Sequence, residues 1–204
     1  MITLQDLFLQ KLAEMHDAER QVVRALPKLA LVATSPDLTR AILSRIQESE
    51  LHRTTLDKVF ECFGETARST TCEATSGLLA EGDKLAASFN GSPSINAAII
   101  ATAQRIQQYA IASYDRLCEW AAMLGNTKAG SLLHEMLEGK KASSERLSKL
   151  ARDSGVPQTP VESVKAKSPA ATPTDSGHPQ TFASQRQSLA KTRRFALPPT
   201  VPQP

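Results

Sequence analysis

IIATAQRIQQYAIASYDRLCEW, residues 99–120, decides the fold. Ile99, Ala103, Ile106, Ala110, Ser113, Leu117 and Trp120 recur every three or four residues, the spacing of one face of an α-helix. No Gly or Pro interrupts the stretch, and Gln, Arg and Asp fill positions off that face, so it reads as a long amphipathic helix. NGSP at 90–93 precedes it and LGN at 124–126 follows it; both are strong breaks. The pattern predicts a helix over about 93–124, with Ser92 as N-cap and Pro93 at the first helical position.

The same period extends in both directions. Leu4, Phe8, Leu12, Met15, Val22, Leu26 and Leu29 predict a first long helix from about Leu4 to Ala33, with Pro27 expected to kink it or loosen one turn. Ser35-Pro36 restarts the chain, and Leu38, Ile42, Ile46, Leu56, Val59, Phe60 and Phe63 form the seam of a second helix ending at Gly64. Residues 65–73 read as loop, and CEATSGLLAEGDKLAAS, 72–88, as a shorter helix with Leu78, Leu79 and Leu85 inward. A last long helix covers about 127–153, with Leu133, Met136, Leu147 and Leu150 inward and Gly155 as its stop. Four helices of roughly 27–32 residues are each about 40–48 Å long. Short connections make neighbours antiparallel, so the expected fold is all-α. It is an antiparallel four-helix bundle with an additional short helix in the crossover between the second and third long helices.

Composition divides the chain into two domains, a helical bundle over 1–154 and a Pro/Ser/Thr/Ala-rich tail over 155–204. Nine of the twelve prolines lie after residue 153. Residues 1–152 hold 18 basic and 18 acidic side chains, so the net charge of +3 arises beyond them and the bundle has no basic excess. The tail cannot bury enough apolar surface to offset its ordering entropy and is expected to be disordered. Its segment SQRQSLAKTRRFALPP, 184–199, reads as a solvated tail because its charge is sparse, with a nucleic-acid or partner-binding arm as the alternative. No basic n-region leads into an apolar run at the N-terminus, and no run of about 18 apolar residues exists, so neither a signal peptide nor a membrane partner is expected. Cys62, Cys72 and Cys118 are odd in number and lack CxxC spacing. Reduced thiols in a cytoplasmic protein are the simplest reading, and a Cys62–Cys72 bridge stays open for an oxidising setting. No Gly-rich phosphate loop, nucleophile elbow or Ser/His/Asp arrangement is present, and no catalytic residue is assigned. His16 and His134 read as surface or rim positions, and Tyr109, Tyr114 and Trp120 as packing residues.

Several polar residues interrupt the apolar seams. Glu19 lies four after Met15 and three before Val22, so it points inward. Arg45, Ser49 and His52 fall near the line from Ile42 to Leu56, and Lys140 and Ser144 follow Met136 in register. The third long helix has a seam that is wholly apolar or small through Ala110. A buried carboxylate needs a cation, a proton or several hydrogen bonds. Di-metal sites in bundles take a Glu from each of two helices and a Glu-x-x-His pair from each of the others. The candidates here are Glu19 and, four apart on the second helix, Glu48 and His52; the last two long helices add no well-placed acid. Three readings stand side by side: hydrogen bonding at the bundle edge, a cationic partner such as Lys140 or Arg45, or a metal held by Glu19, Glu48 and His52.

Four stretches in one order carry a resemblance. DAERQVVRALPKLA (17–30), CEATSGLLAEGDKL (72–85), AAIIATAQRIQQYAIASYDRL (97–117) and LHEMLEGKKASSERLSKLA (133–151) are similar to segments of the YciE/YciF family of bacterial stress-associated proteins. The resemblance covers about residues 3–153. It implies a ferritin-like fold, a homodimer and a possible di-metal centre. Where the family reads EHYE, this chain has Gln107-Gln108-Tyr109-Ala110; where it reads EEEKATD, this chain has residues 138–144, with Gly139, Lys140, Lys141 and Ser144 among them. Acids expected at a metal centre are thus replaced by neutral or cationic residues, while Glu19, Glu48 and His52 remain. The expectation is a stress-associated, non-catalytic bundle with a degenerate site, no resident cofactor, and Lys140 or Arg45 neutralising Glu19. The alternative is a ferritin-like oxidoreductase that binds iron or manganese and oxidises ferrous iron or reduces peroxide.

Overall fold

The computed structural model describes residues 1–153, and every element in them is helical: α1 (Leu4–Val32), α2 (Pro36–Glu61), α3 (Glu73–Ser88), α4 (Ile95–Met123) and α5 (Thr127–Asp153). The expected tail, and the stop at Gly155, lie outside the described residues.

Local signals set the ends. Thr3 caps α1 through a reciprocal pair in which Asp6 N–H donates to Thr3 Oγ1 at 3.2 Å and Thr3 N–H donates to Asp6 Oδ2 at 2.8 Å. The seam pattern did not point to this cap. Ser35 caps α2 by accepting from Leu38 N–H, with Pro36 at the first helical position. Pro27 lies inside α1, which continues through it to Val32. Gly64, beyond the end of α2, has φ +70°, a conformation L-residues avoid.

Hydrogen bonds between elements trace the topology. Phe63, just after α2, packs its ring at a tilt against Phe8 near the start of α1, so α1 and α2 are antiparallel. The chain then returns along α1: Thr70 N–H donates to Ala13 O, Cys72 N–H to Asp17 Oδ2, and Ser76 Oγ to Gln21 Oε1. α3 carries it onward until Asn96, at the start of α4, accepts from Thr34 and Ser35 N–H at the α1–α2 turn. The crossover therefore spans the bundle, and α4 runs antiparallel to α1. At the far end Asn126 donates to Cys62 O and turns the chain into α5. The result is an up-down-down-up bundle, the ferritin-like arrangement, with α3 packed on α1 and α4.

Glycine has a packing role at one crossing. A Cβ on Gly82 of α3 would lie 2.3 Å from Thr102 Cγ2 of α4, so only glycine lets the two helices meet there. This alters the reading of α3. Its buried residues are Thr75 and Gly82, whereas Leu78, Leu79 and Leu85, expected inward, are half-buried. A short helix lying on two long ones presents a narrow strip to them.

The apolar core falls into two clusters. One holds Phe8, Leu12, Leu56, Phe60, Leu117 and Leu133; the other holds Val22, Leu26, Ile42, Ile95, Ile99 and Ile106. On each long helix the switch from one cluster to the other falls at buried polar residues: Glu19 on α1, Arg45, Ser49 and His52 on α2, Gln107 on α4, and Lys140, Ser143 and Ser144 on α5. A polar layer thus crosses the middle of the bundle.

Candidate functional site: a buried charge layer

Glu19 is at the centre of this layer and is 1% exposed. Lys140, with no exposed surface, reaches across from α5 and holds its Nζ 2.5 Å from Glu19 Oε1. Tyr114 donates its hydroxyl to the same oxygen at 2.8 Å from α4. From α2, Arg45 Nη2 stands 3.8 Å from Glu19 Oε2, and His52 Nδ1 stands 3.6 Å from Oε1. The ammonium of Lys140 also lies 5.6 Å from the centre of the Tyr114 ring, within cation–π range. All four long helices meet at one carboxylate.

The electrostatics follow from burial and these neighbours. Burial alone would push the Glu19 carboxyl up, but Lys140, then Arg45 and the contact with His52, outweigh it and hold the group well below the usual carboxylate range. Burial lowers Lys140 to about 7, with Arg45 adding to the shift and Glu19 opposing it. Burial also lowers His52, against the pull of Glu19. Tyr114 is pushed well above its ordinary value by burial and by Glu19, so it remains a hydrogen-bond donor.

Gln107 is fully buried and donates Nε2–H to the Lys140 backbone carbonyl at 2.6 Å, tying α4 to α5 beside the charged side chain. The seam read as apolar or small through Ala110 therefore contains a buried amide, and Tyr114, read as packing, touches the central carboxylate. Gln107 lies three before Ala110, and Tyr114 lies four after Ala110 and three before Leu117, so the buried line of α4 runs through Gln107, Ala110, Tyr114, Leu117 and Ala121 rather than through Ile106, Ala110, Ser113 and Leu117. His16, read as rim, is 9% exposed, with Nδ1 2.5 Å from Ser69 Oγ and Nε2 3.1 Å from Asp57 Oδ1. His134 is exposed as expected. Cys62, Cys72 and Cys118 are all free thiols.

Of the three residues proposed as metal ligands, the structure brings two together. Glu19 and His52 share the buried layer. Glu48 faces a different set of partners at the edge of the bundle, accepting from Ser143 Oγ at 2.6 Å and from Arg146 Nη2 at 2.8 Å. Four residues beyond Glu48 on α2, His52 turns toward the interior while the carboxylate turns toward α5. Among the described residues, no three His, Cys, Asp or Glu side chains converge as a metal would require. A di-metal centre needs several anionic oxygens between the helices. Here one carboxylate and one imidazole face an ammonium and a guanidinium, and Lys140 Nζ occupies the position beside Glu19 Oε1. This donor set does not fit two divalent cations, because each would be desolvated next to protein positive charge.

Comparison with known proteins gives the layer a setting. A family profile described as "Domain of unknown function (DUF892)" matches residues 3–159. Protein YciF of Escherichia coli is 35% identical over 152 residues, spanning 74% of this chain and 92% of that protein. The solved structure of the E. coli stress protein YciF is 34% identical and superposes with a TM-score of 0.72, covering 76% of this chain and 98% of the other. YcfI from Rhodopseudomonas palustris, at 34% identity, superposes with a TM-score of 0.70 over 72% and 94% of the two chains. A protein from Xanthomonas campestris, at 13% identity and a TM-score of 0.58 over 74% of this chain and 91% of that one, shares the fold alone.

Proposed function

The chain belongs to the DUF892 family, and from that premise we propose that it is a stress-associated, non-catalytic ferritin-like protein in which a protein ammonium takes the place of bound metal. The observation that carries this reading is the contact between Lys140 Nζ and Glu19 Oε1 at 2.5 Å, with both side chains buried. An ionised carboxylate at such depth is stabilised by positive charge nearby. Lys140 and Arg45 supply it from α5 and α2, so the interior needs no ion to be neutralised. The bundle then serves as an assembly or interaction module; a homodimer is the form that the resemblance implies, and a cytoplasmic setting is the one that three unpaired cysteines suggest.

Calorimetric titration of the purified chain with Fe(II) and Mn(II), together with metal analysis after expression in supplemented medium, tests the reading. The expected result is no stoichiometric binding at micromolar concentrations. Two tightly bound ions per chain would instead support an oxidoreductase and would require Lys140 to leave the layer.

A further inference from the structure

Three side chains that are scattered in the sequence meet beside the crossover. His16 of α1 is buried, and its two ring nitrogens have separate partners. Nδ1 stands 2.5 Å from the hydroxyl of Ser69, on the loop between α2 and α3, and Nε2 stands 3.1 Å from Asp57 Oδ1 of α2. A carboxylate only accepts, so the ring hydrogen lies on Nε2, and Nδ1 accepts from the Ser69 hydroxyl. A carboxylate that fixes an imidazole, and an imidazole whose free nitrogen faces a hydroxyl, make the arrangement that activates a serine; here the two ring nitrogens exchange their usual roles. Burial, with Arg53 and Arg20 adding to it, lowers His16 against the pull of Asp57, so the ring is neutral at pH 7 and its lone pair is available. The loop is held in register on α1, where Thr70 N–H donates to Ala13 O at 3.1 Å and Cys72 N–H donates to Asp17 Oδ2 at 2.9 Å. Ser69 itself is exposed, so a reagent in solution reaches it.

We infer that Ser69 is a site of covalent modification that accepts an acyl group from an activated donor such as a thioester. The Ser69 oxygen attacks the acyl carbon, and its proton passes to His16 Nδ1. The carbon–sulfur bond then breaks, and the thiolate leaves with that proton as a thiol. Ser69 ends as an ester, and His16 returns to its neutral form. The charges near the ring favour an acyl over a phosphoryl donor: Arg20 is paired with Asp17 and Arg53 is balanced by Asp57, so no net positive charge awaits a phosphoryl group. The amides of Thr70 and Cys72 are already engaged by Ala13 and Asp17, so they do not stabilise a tetrahedral oxyanion, and the donor must bring a good leaving group. The product is a modified chain, which is compatible with a bundle that turns over no substrate. No metal enters the step, so the inference stands or falls apart from the reading of Glu19.

Incubation of the full chain with S-phenyl thioacetate, followed over time by peptide mass spectrometry, tests it. Ser69 is expected to acquire one acetyl group at least about a hundredfold faster than Ser131, an exposed serine whose hydroxyl donates to a backbone carbonyl. Thiophenol release, compared with that from Ser69→Ala, counts any adduct lost to hydrolysis. The rate at Ser69 should rise with pH and level off once His16 is neutral, at or below its ordinary 6.5. His16→Gln should slow it at least about a hundredfold and leave a rate that keeps rising with hydroxide. If that variant does not fold, Asp57→Asn, at a half-exposed position, should still slow it at least about tenfold, because the amide no longer holds the ring in the required tautomer. Acetylation of Ser69 no faster than that of Ser131, a rate unchanged in Asp57→Asn, or a wild-type rate with no plateau in pH would each overturn the assignment.

Discussion

Replacing Lys140 with Met keeps most of the side-chain volume and removes only the charge, so it isolates the contribution of the ammonium. Lys140 is fully buried and Glu19 is 1% exposed, so neither charge is screened by solvent. Truncating one partner of a buried pair costs about 3–5 kcal/mol, mostly because the remaining charge is stranded. Glu19 would still have the Tyr114 hydroxyl at 2.8 Å and Arg45 at 3.8 Å, which places the expected loss at the lower end, about 3 kcal/mol. For a helical domain of this size that corresponds to a fall in Tm of about 6–12 °C. The assay is urea and thermal unfolding at pH 6, where the ammonium is protonated, on four proteins: wild type, Lys140→Met, Glu19→Gln and the double variant. Removing both charges should recover at least about half of the loss, giving a coupling energy above about 1.5 kcal/mol. Lys140→Met within about 0.5 kcal/mol of wild type, or additive single effects, would refute the claim that the two side chains neutralise one another.

Three further outcomes are expected. Tyr114→Phe leaves the ring in place but removes a buried donor to a charged acceptor, and should cost about 1.5–3 kcal/mol in urea unfolding. Gly82→Ala should destabilise by about 1–3 kcal/mol because its Cβ meets Thr102, and adding Thr102→Ala should restore most of the loss in a thermal melt. Stability should depend on pH through the layer, because the folded pKa of Lys140, about 7, lies below its ordinary value of 10.5. Between those values the unfolded chain binds the proton that the native state has released, so wild-type stability should rise with pH relative to Lys140→Met. On the acid side His52, lowered mainly by burial, makes the unfolded chain take the proton first, so stability should fall as pH drops below 6.5. Glu19 adds stability that is present above 4.5 and lost as pH falls further; parallel pH profiles for wild type and Lys140→Met would contradict this assignment.

The bundle was legible because it rests on a periodic signal that four helices repeat. Residues 99–120 carry an apolar position every three or four residues, Ser35-Pro36 marks a helix start, and the short loops dictate antiparallel neighbours; all of these are local properties. Glu19, Arg45, His52 and Lys140 were likewise readable as polar residues on apolar seams. Which of them meet was not readable from any one helix, since contact depends on how far each helix slides and turns against the others. Glu48 shows the limit: it lies one turn before His52 in sequence, yet it faces Arg146 and Ser143 while His52 faces Glu19. Gln107 and Tyr114 were missed for a related reason: the spacing 107, 110, 114, 117, 121 fits a helix face as well as 106, 110, 113, 117, 120 does, and which of the two is buried depends on how α4 turns against its neighbours. The narrow contact of α3, with Gly82 rather than its leucines deepest, depends on the crossing with Thr102 and has no counterpart in the period of its own sequence.

The central claim concerns what stands beside Glu19. Crystals of the full chain soaked in Fe(II) or Mn(II), with anomalous data collected at the metal edge, test it most directly. Lys140 Nζ is expected in continuous side-chain density next to Glu19 Oε1, with no anomalous peak between the four long helices. Two anomalous peaks bridged by Glu19, with Lys140 displaced from the layer, would contradict the account.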